Sequence, residues 1–135
     1  DQLVGFSRST TELYLRHFYD HWVGNKDSVR PKEFDAIVDA FARPGALRAS
    51  FGWYRARYEE VTDSSAGVTK DPILLPTVVR WGERDHVKPA AWAEGIEQTF
   101  PDLDFRVVPG AGHFVPFEAP EETVRAICTA LSLAR

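Results

Sequence analysis

Thiols are nearly absent from this chain. Cys128 is the single cysteine among 135 residues, which excludes an internal disulfide and a zinc site built from several thiolates. A reducing compartment, the cytoplasm, is therefore expected, and no signal peptide is visible at Asp1. Long apolar runs are absent too. None approaches the roughly 20 residues that span a bilayer, and no basic amphipathic stretch suits a membrane surface, so no membrane partner is expected. Nor is there a basic excess. The net charge is -4 with both signs interspersed, whereas a nucleic-acid partner requires a basic face. Repeats and low-complexity tracts are missing. So is a Gly-x-Ser-x-Gly turn: Gly5-Phe6-Ser7-Arg8-Ser9 lacks the final glycine and follows no clear strand, so no serine nucleophile is expected in this chain.

What is present suffices for a packed core. Hydrophobic residues make up 44%, including 4 Trp, 4 Tyr and 9 Phe, in a length that fits one domain. Residues 1–8 read as extended or loop. Ser9-Thr10-Thr11-Glu12 fits a capping box, in which a hydroxyl and a carboxylate three residues apart satisfy free amides. Leu15, Phe18, Tyr19 and Trp22 then repeat at helical spacing, and Gly24-Asn25 ends the helix. Pro31 opens a second helix with Phe34, Ile37, Val38 and Phe41 on its buried face. Arg43-Pro44-Gly45 breaks it. A third starts near Ala46, with Leu47, Phe51, Tyr54 and Tyr58 on one side. Polar, turn-rich residues 62–71 mark a boundary. The expected division is a helical segment over 1–62 and an α/β part over 63–135.

In the α/β part, residues 77–81 read as a strand buried on both faces, with Pro76 at its start. Pro89 opens a helix whose buried face is Trp92, Ile96 and Phe100. Residues 105–108 form a second strand, and Pro109-Gly110-Ala111-Gly112 a turn. Pro120 starts the last helix, with Val124, Ile127, Cys128 and Leu131 facing inward. Strand, helix, strand in this order makes a parallel pair with a right-handed crossover. Two parallel strands are too few for a self-sufficient sheet, and each leaves unpaired backbone groups along an edge. The sheet is therefore expected to be incomplete, with a second chain or copy completing it.

Chemistry concentrates where these strands end. Asp85 follows the first strand and His113 the second. Ligands of open α/β sheets bind at that end of the strands. A carboxylate there can accept a hydrogen bond from an imidazole, fix its tautomer and stabilise its charged form; the plainer reading is a turn or cap aspartate. A histidine there can take a proton from water or a hydroxyl; the plainer reading is a surface loop. Tyr54 can donate a hydrogen bond to an oxygen that develops negative charge, although its spacing equally suits a core tyrosine. His17 and His21, four apart, share a helix face. No motif glutamate lies between them, so no metal is expected. Both fit a solvated surface, and His17 can also serve as a pocket donor. Cys128 reads as a small core residue.

Two groups of motifs resemble a known family. Residues 76–135, with Trp81-Gly82-Glu83-Arg84-Asp85, Gly110-Ala111-Gly112-His113-Phe114 and Glu118-Ala119-Pro120-Glu121-Glu122, are similar to the C-terminus of α/β-hydrolase-fold enzymes. Tyr14-Leu15-Arg16-His17-Phe18-Tyr19, Arg43-Pro44-Gly45-Ala46-Leu47 and Phe51-Gly52-Trp53-Tyr54-Arg55-Ala56 resemble the cap of bacterial epoxide hydrolases. The fold implied is α/β: a helical cap segment followed by the C-terminal βαβα portion of an α/β-hydrolase fold, with the sheet incomplete. The resemblance implies Asp85 as triad acid, His113 as base, and Tyr54 as cap donor to the epoxide oxygen. His17 would replace the second cap tyrosine that the family usually has. The substrate implied is a small apolar epoxide, and no cofactor is implied. The family's nucleophilic aspartate and oxyanion hole would lie upstream of Asp1, so this chain alone should be inactive. A haloacetate dehalogenase or esterase of the same fold, or a non-catalytic fragment that associates with another chain, is the alternative.

Overall fold

The computed structural model describes residues 3–62 and 71–133. The boundary read at 62–71 lies almost wholly outside the described residues, as does the side chain of Tyr58. The backbone divides into two compact units, one of residues 3–18 and 30–62, the other of 19–29 and 71–133. Residues 19–29, helical-segment residues by sequence, thus group with the strands.

Three helices build the first unit: α1 (Arg8–Trp22, whose last turn belongs to the second unit), α2 (Pro31–Phe41) and α3 (Ala46–Thr62). The cap of α1 is shifted from its expected position. The Thr10 amide donates to Ser7 Oγ at 3.2 Å and the Ser7 amide donates to Thr10 Oγ1 at 3.0 Å. This is the reciprocal pattern of a capping box, two residues before Ser9. Several hydroxyl residues in a row leave that register open in the sequence. Glu12 instead receives Arg8 and Arg16. Ser7 is thus the cap of α1. Pro31 opens α2 as expected, and Gly45, at φ 81°, precedes α3. Leu15, Phe34, Val38 and Leu47 form the buried apolar set, which is where the helical periodicity puts them. Arg16 lies over the Phe34 ring at 4.4 Å, and Arg8 bonds Asp39 at 2.7 Å.

The second unit holds β1 (Thr77–Gly82) and β2 (Leu103–Val108), paired in parallel from Thr77 opposite Leu103 to Gly82 opposite Val108. They are the only strands among the described residues. β1 is half-buried up to Trp81, not buried on both faces as its composition suggested. The connection is not the single helix expected from Pro89. A 3-10 turn, Ala90–Ala93, is separated from a one-turn α4 (Ile96–Thr99) by Gly95 at φ 82°. Glycine enters this left-handed region freely and stops the helix there. Ala93 is the buried residue, and Trp92 is 65% exposed.

A one-turn α5 (Val115–Glu118) leads into α6 (Pro120–Leu133), which packs along β1. The inward stripe read for α6 lies in solvent: Val124, Ile127, Cys128 and Leu131 are all exposed. Periodicity reports which helix face is apolar; it does not say that another surface covers it. No described element covers this one. The buried apolar cluster of this unit is small: Val108, Ala111 and Val115, with Ala119 against it.

Candidate active site

The parallel register brings two loop residues together. Asp85 lies just past Gly82 at the end of β1, and His113 just past Val108 at the end of β2. His113 Nδ1 stands 2.9 Å from Asp85 Oδ2. Asp85 is 8% exposed, so its charge needs partners. The other oxygen, Oδ1, accepts the amides of Val87 and Lys88 at 2.9 and 2.8 Å. Both readings of Asp85 are thus true at once: one oxygen caps a turn and the other holds the imidazole. Because Asp85 is an acceptor, Nδ1 carries the proton in this pair and Nε2 keeps its lone pair. An imidazole so arranged can take a proton from water. His86, next to Asp85, is exposed.

The loops around this pair meet through their backbones. A Cβ on Gly82 would run into the Gly112 carbonyl, and a Cβ on Gly112 into the Gly24 amide and the Trp22 carbonyl. Glycine at these positions is a condition of the approach. The His113 amide donates to the Trp22 carbonyl at 2.8 Å, and its ring stands edge-on to the Trp22 ring at 5.1 Å. Tyr19 stacks on Phe114 at 4.7 Å. The Glu118 carboxylate receives amides from both sides of His113. Residue spacing does not set Trp22 apart from the rest of its apolar stripe, nor Glu118 from the motif that contains it.

The other candidates lie in the helical unit. Tyr54, on α3, is 60% exposed and stands edge-on to Trp53 at 5.3 Å. It is not in an apolar pocket of its own unit. Tyr14, half-buried beside it, has its phenol pKa raised by burial first and by Tyr54 second. His17, on α1, is exposed, with its ring edge-on to Phe18 at 5.6 Å. No group of three His, Cys, Asp or Glu side chains that could hold a metal occurs among the described residues. Cys128 is an exposed thiol, not the core residue its spacing suggested. No helix among the described residues is long and apolar enough to cross a membrane.

Similarity to known proteins places the chain in a family. The family model described as the alpha/beta hydrolase family matches residues 3–126. The chain belongs to that family. Among curated proteins, this chain is similar to epoxide hydrolase 3 of Mus musculus, with 26% identity over 110 residues; the match covers 80% of this chain and 29% of that protein. Among solved structures it resembles epoxide hydrolase CorEH without ligand, at TM-score 0.76 and 22% identity, covering 98% of this chain and 45% of the other. It also resembles wild-type Cfl2 from Burkholderia cenocepacia, at TM-score 0.74 and 21% identity, covering 90% and 40%. A serine hydrolase involved in carbazole degradation, CarC, matches at TM-score 0.61 and 23% identity, covering 95% and 48%. The chain thus spans under a third of the curated relative and less than half of each of these structures.

Proposed function

We propose that this chain supplies the acid–base half of an epoxide hydrolase, with the attacking carboxylate contributed from outside these 135 residues. The observation that carries the reading is the 2.9 Å contact between His113 Nδ1 and Asp85 Oδ2 at the tips of adjacent parallel strands. The outside carboxylate attacks an epoxide carbon. The carbon–oxygen bond of the ring opens, and an ester to the enzyme forms. Tyr54 donates a hydrogen bond to the departing oxygen, with His17 as second donor, and this offsets the charge developing there. His113 Nε2 then takes a proton from water, and the resulting hydroxide attacks the ester carbonyl. The ester carbon–oxygen bond breaks, the leaving oxygen takes the proton held on His113, the hydroxide's own proton passes to the oxygen freed in the first step, and the diol leaves a regenerated carboxylate. Asp85 stabilises the imidazolium formed in that step.

On this reading residues 1–62 are the cap and 63–135 the end of the hydrolase core. A second segment or chain covers the open sheet edge and the apolar face of α6, and the protein works in the cytoplasm. The alternative is a haloacetate dehalogenase or an esterase of the same fold. A serine hydrolase among the structural neighbours favours keeping it, because the same acid–base pair serves either chemistry.

The test is diol formation from a small apolar epoxide by the complete hydrolase that carries this chain. Asp85→Asn and His113→Gln should each lower it at least about a hundredfold, and the isolated chain should form no diol. A single turnover in ¹⁸O-water should yield unlabelled diol, since the first oxygen transferred comes from the enzyme carboxylate. Label in that first diol, or turnover by the isolated chain, would overturn the reading.

A further inference from the structure

We infer that Glu118 is a positioning residue for His113, acting entirely through backbone amides; its catalytic consequence rests on the function proposed above. Oε2 of Glu118 accepts the amides of Gly24, Asn25 and Gly112 at 2.6, 3.1 and 2.9 Å, and Oε1 accepts Phe114 at 3.2 Å. A carboxylate accepts about four hydrogen bonds, so this one is saturated. Charge-assisted bonds of this kind are the strong ones.

The pattern encloses His113. The amides of Gly112 and Phe114, on either side of it, go to Glu118, and the His113 amide goes to the Trp22 carbonyl. Three consecutive amides are therefore tied, and the segment after α1 is held by the same carboxylate at Gly24 and Asn25. Asp85 sets the rotation of the ring, while Glu118 sets where the ring is carried. Simple capping of the one-turn α5 would explain the Phe114 bond alone. It leaves the three bonds to Gly24, Asn25 and Gly112 without a reason. Those amides come together because Gly24 and Gly112 are in backbone contact; Gly112 is buried, where an amide without an acceptor is costly, while Gly24 is half-buried and Asn25 exposed. A glutamine of the same shape keeps one acceptor oxygen and loses the charge: with its carbonyl toward Gly24, Asn25 and Gly112 its NH2 faces the Phe114 amide, so each of the four bonds is weakened or lost.

Glu118→Gln and Glu118→Asp separate this role from a merely structural one. In the complete hydrolase, E118Q should lower kcat roughly 10- to 100-fold with KM within about twofold, since displacing a catalytic group by about 1 Å costs on that scale. E118D, which keeps the charge with a shorter reach, should recover part of the loss. In the chain itself, hydrogen exchange of the Gly24, Asn25, Gly112 and Phe114 amides should speed up together in E118Q. Fast exchange with unchanged kcat would overturn the positioning role, and so would unchanged exchange. If E118Q does not fold, E118D decides: a lower kcat together with faster exchange of the four amides supports the role, and unchanged kcat or unchanged exchange overturns it. If Asp85→Asn and His113→Gln leave diol formation intact, the proposed reaction fails while the amide measurements still judge the clamp.

Discussion

The two units of this chain are held by different means. In the helical unit, Leu15, Phe34, Val38 and Leu47 bury apolar side chains between helices, and the ion pairs around Arg8 and Arg16 lie on the surface. Among the described residues of the unit with the acid–base pair, the buried apolar side chains are small: Ala93 by itself, and the cluster of Val108, Ala111 and Val115. Its loops are instead fixed by glycine-to-glycine backbone contact and by two carboxylates, Glu118 with four amides and Asp85 with two amides and the imidazole. The first arrangement tolerates change in proportion to the volume altered. The second depends on distances that a single Cβ would upset. Positioning a base to a fraction of an ångström calls for the second kind.

Substitution at glycine tests this contrast most severely. Gly82→Ala should destabilise its unit by about 3 kcal/mol or more, because the new Cβ meets backbone that has nowhere to go. Gly52→Ala, in α3, should stabilise by about 0.5–1 kcal/mol, since its Cβ would meet only the Arg55 side chain, at 4.0 Å. Urea denaturation of the two variants measures both, and equal effects would erase the distinction between the units. Between these in size, Val38→Ala should cost about 2 kcal/mol through the cavity left at a fully buried site. It should leave the hydrogen exchange of Gly112 and Phe114 unchanged.

The smallest effect concerns pH. Hydrogen bonds from Arg80 first, then its charge and that of Arg106, hold the Asp104 carboxyl below the usual carboxylate range, against an opposing burial effect. A carboxylate with a lowered folded-state pKa contributes stability above its unfolded pKa and loses it as pH falls through the folded value. Thermal unfolding should therefore show a fall in Tm below about pH 4, and Asp104→Asn should flatten that fall. A steeper fall in the variant would contradict the assignment.

What the sequence disclosed follows the same division. Asp85 and His113 were legible because each stands just past an apolar strand, and parallel pairing then sets them side by side. Phe34, Val38 and Leu47 were legible from helical spacing. Glu118 was not, because its partners are backbone amides and backbone amides leave no residue pattern. The apolar stripe of α6 was read correctly as a stripe and wrongly as buried, since cover is a property of neighbours and not of spacing. Trp92 was misplaced because Gly95 cuts the connection before a full helix can form.

The tautomer of His113 probes the central claim most directly. In ¹⁵N NMR of the chain near neutral pH, the neutral ring should carry its proton on Nδ1, held by Asp85, with Nε2 bare. Asp85→Asn should abolish that preference. A ring that instead carries its proton on Nε2 in the unsubstituted protein would contradict the account.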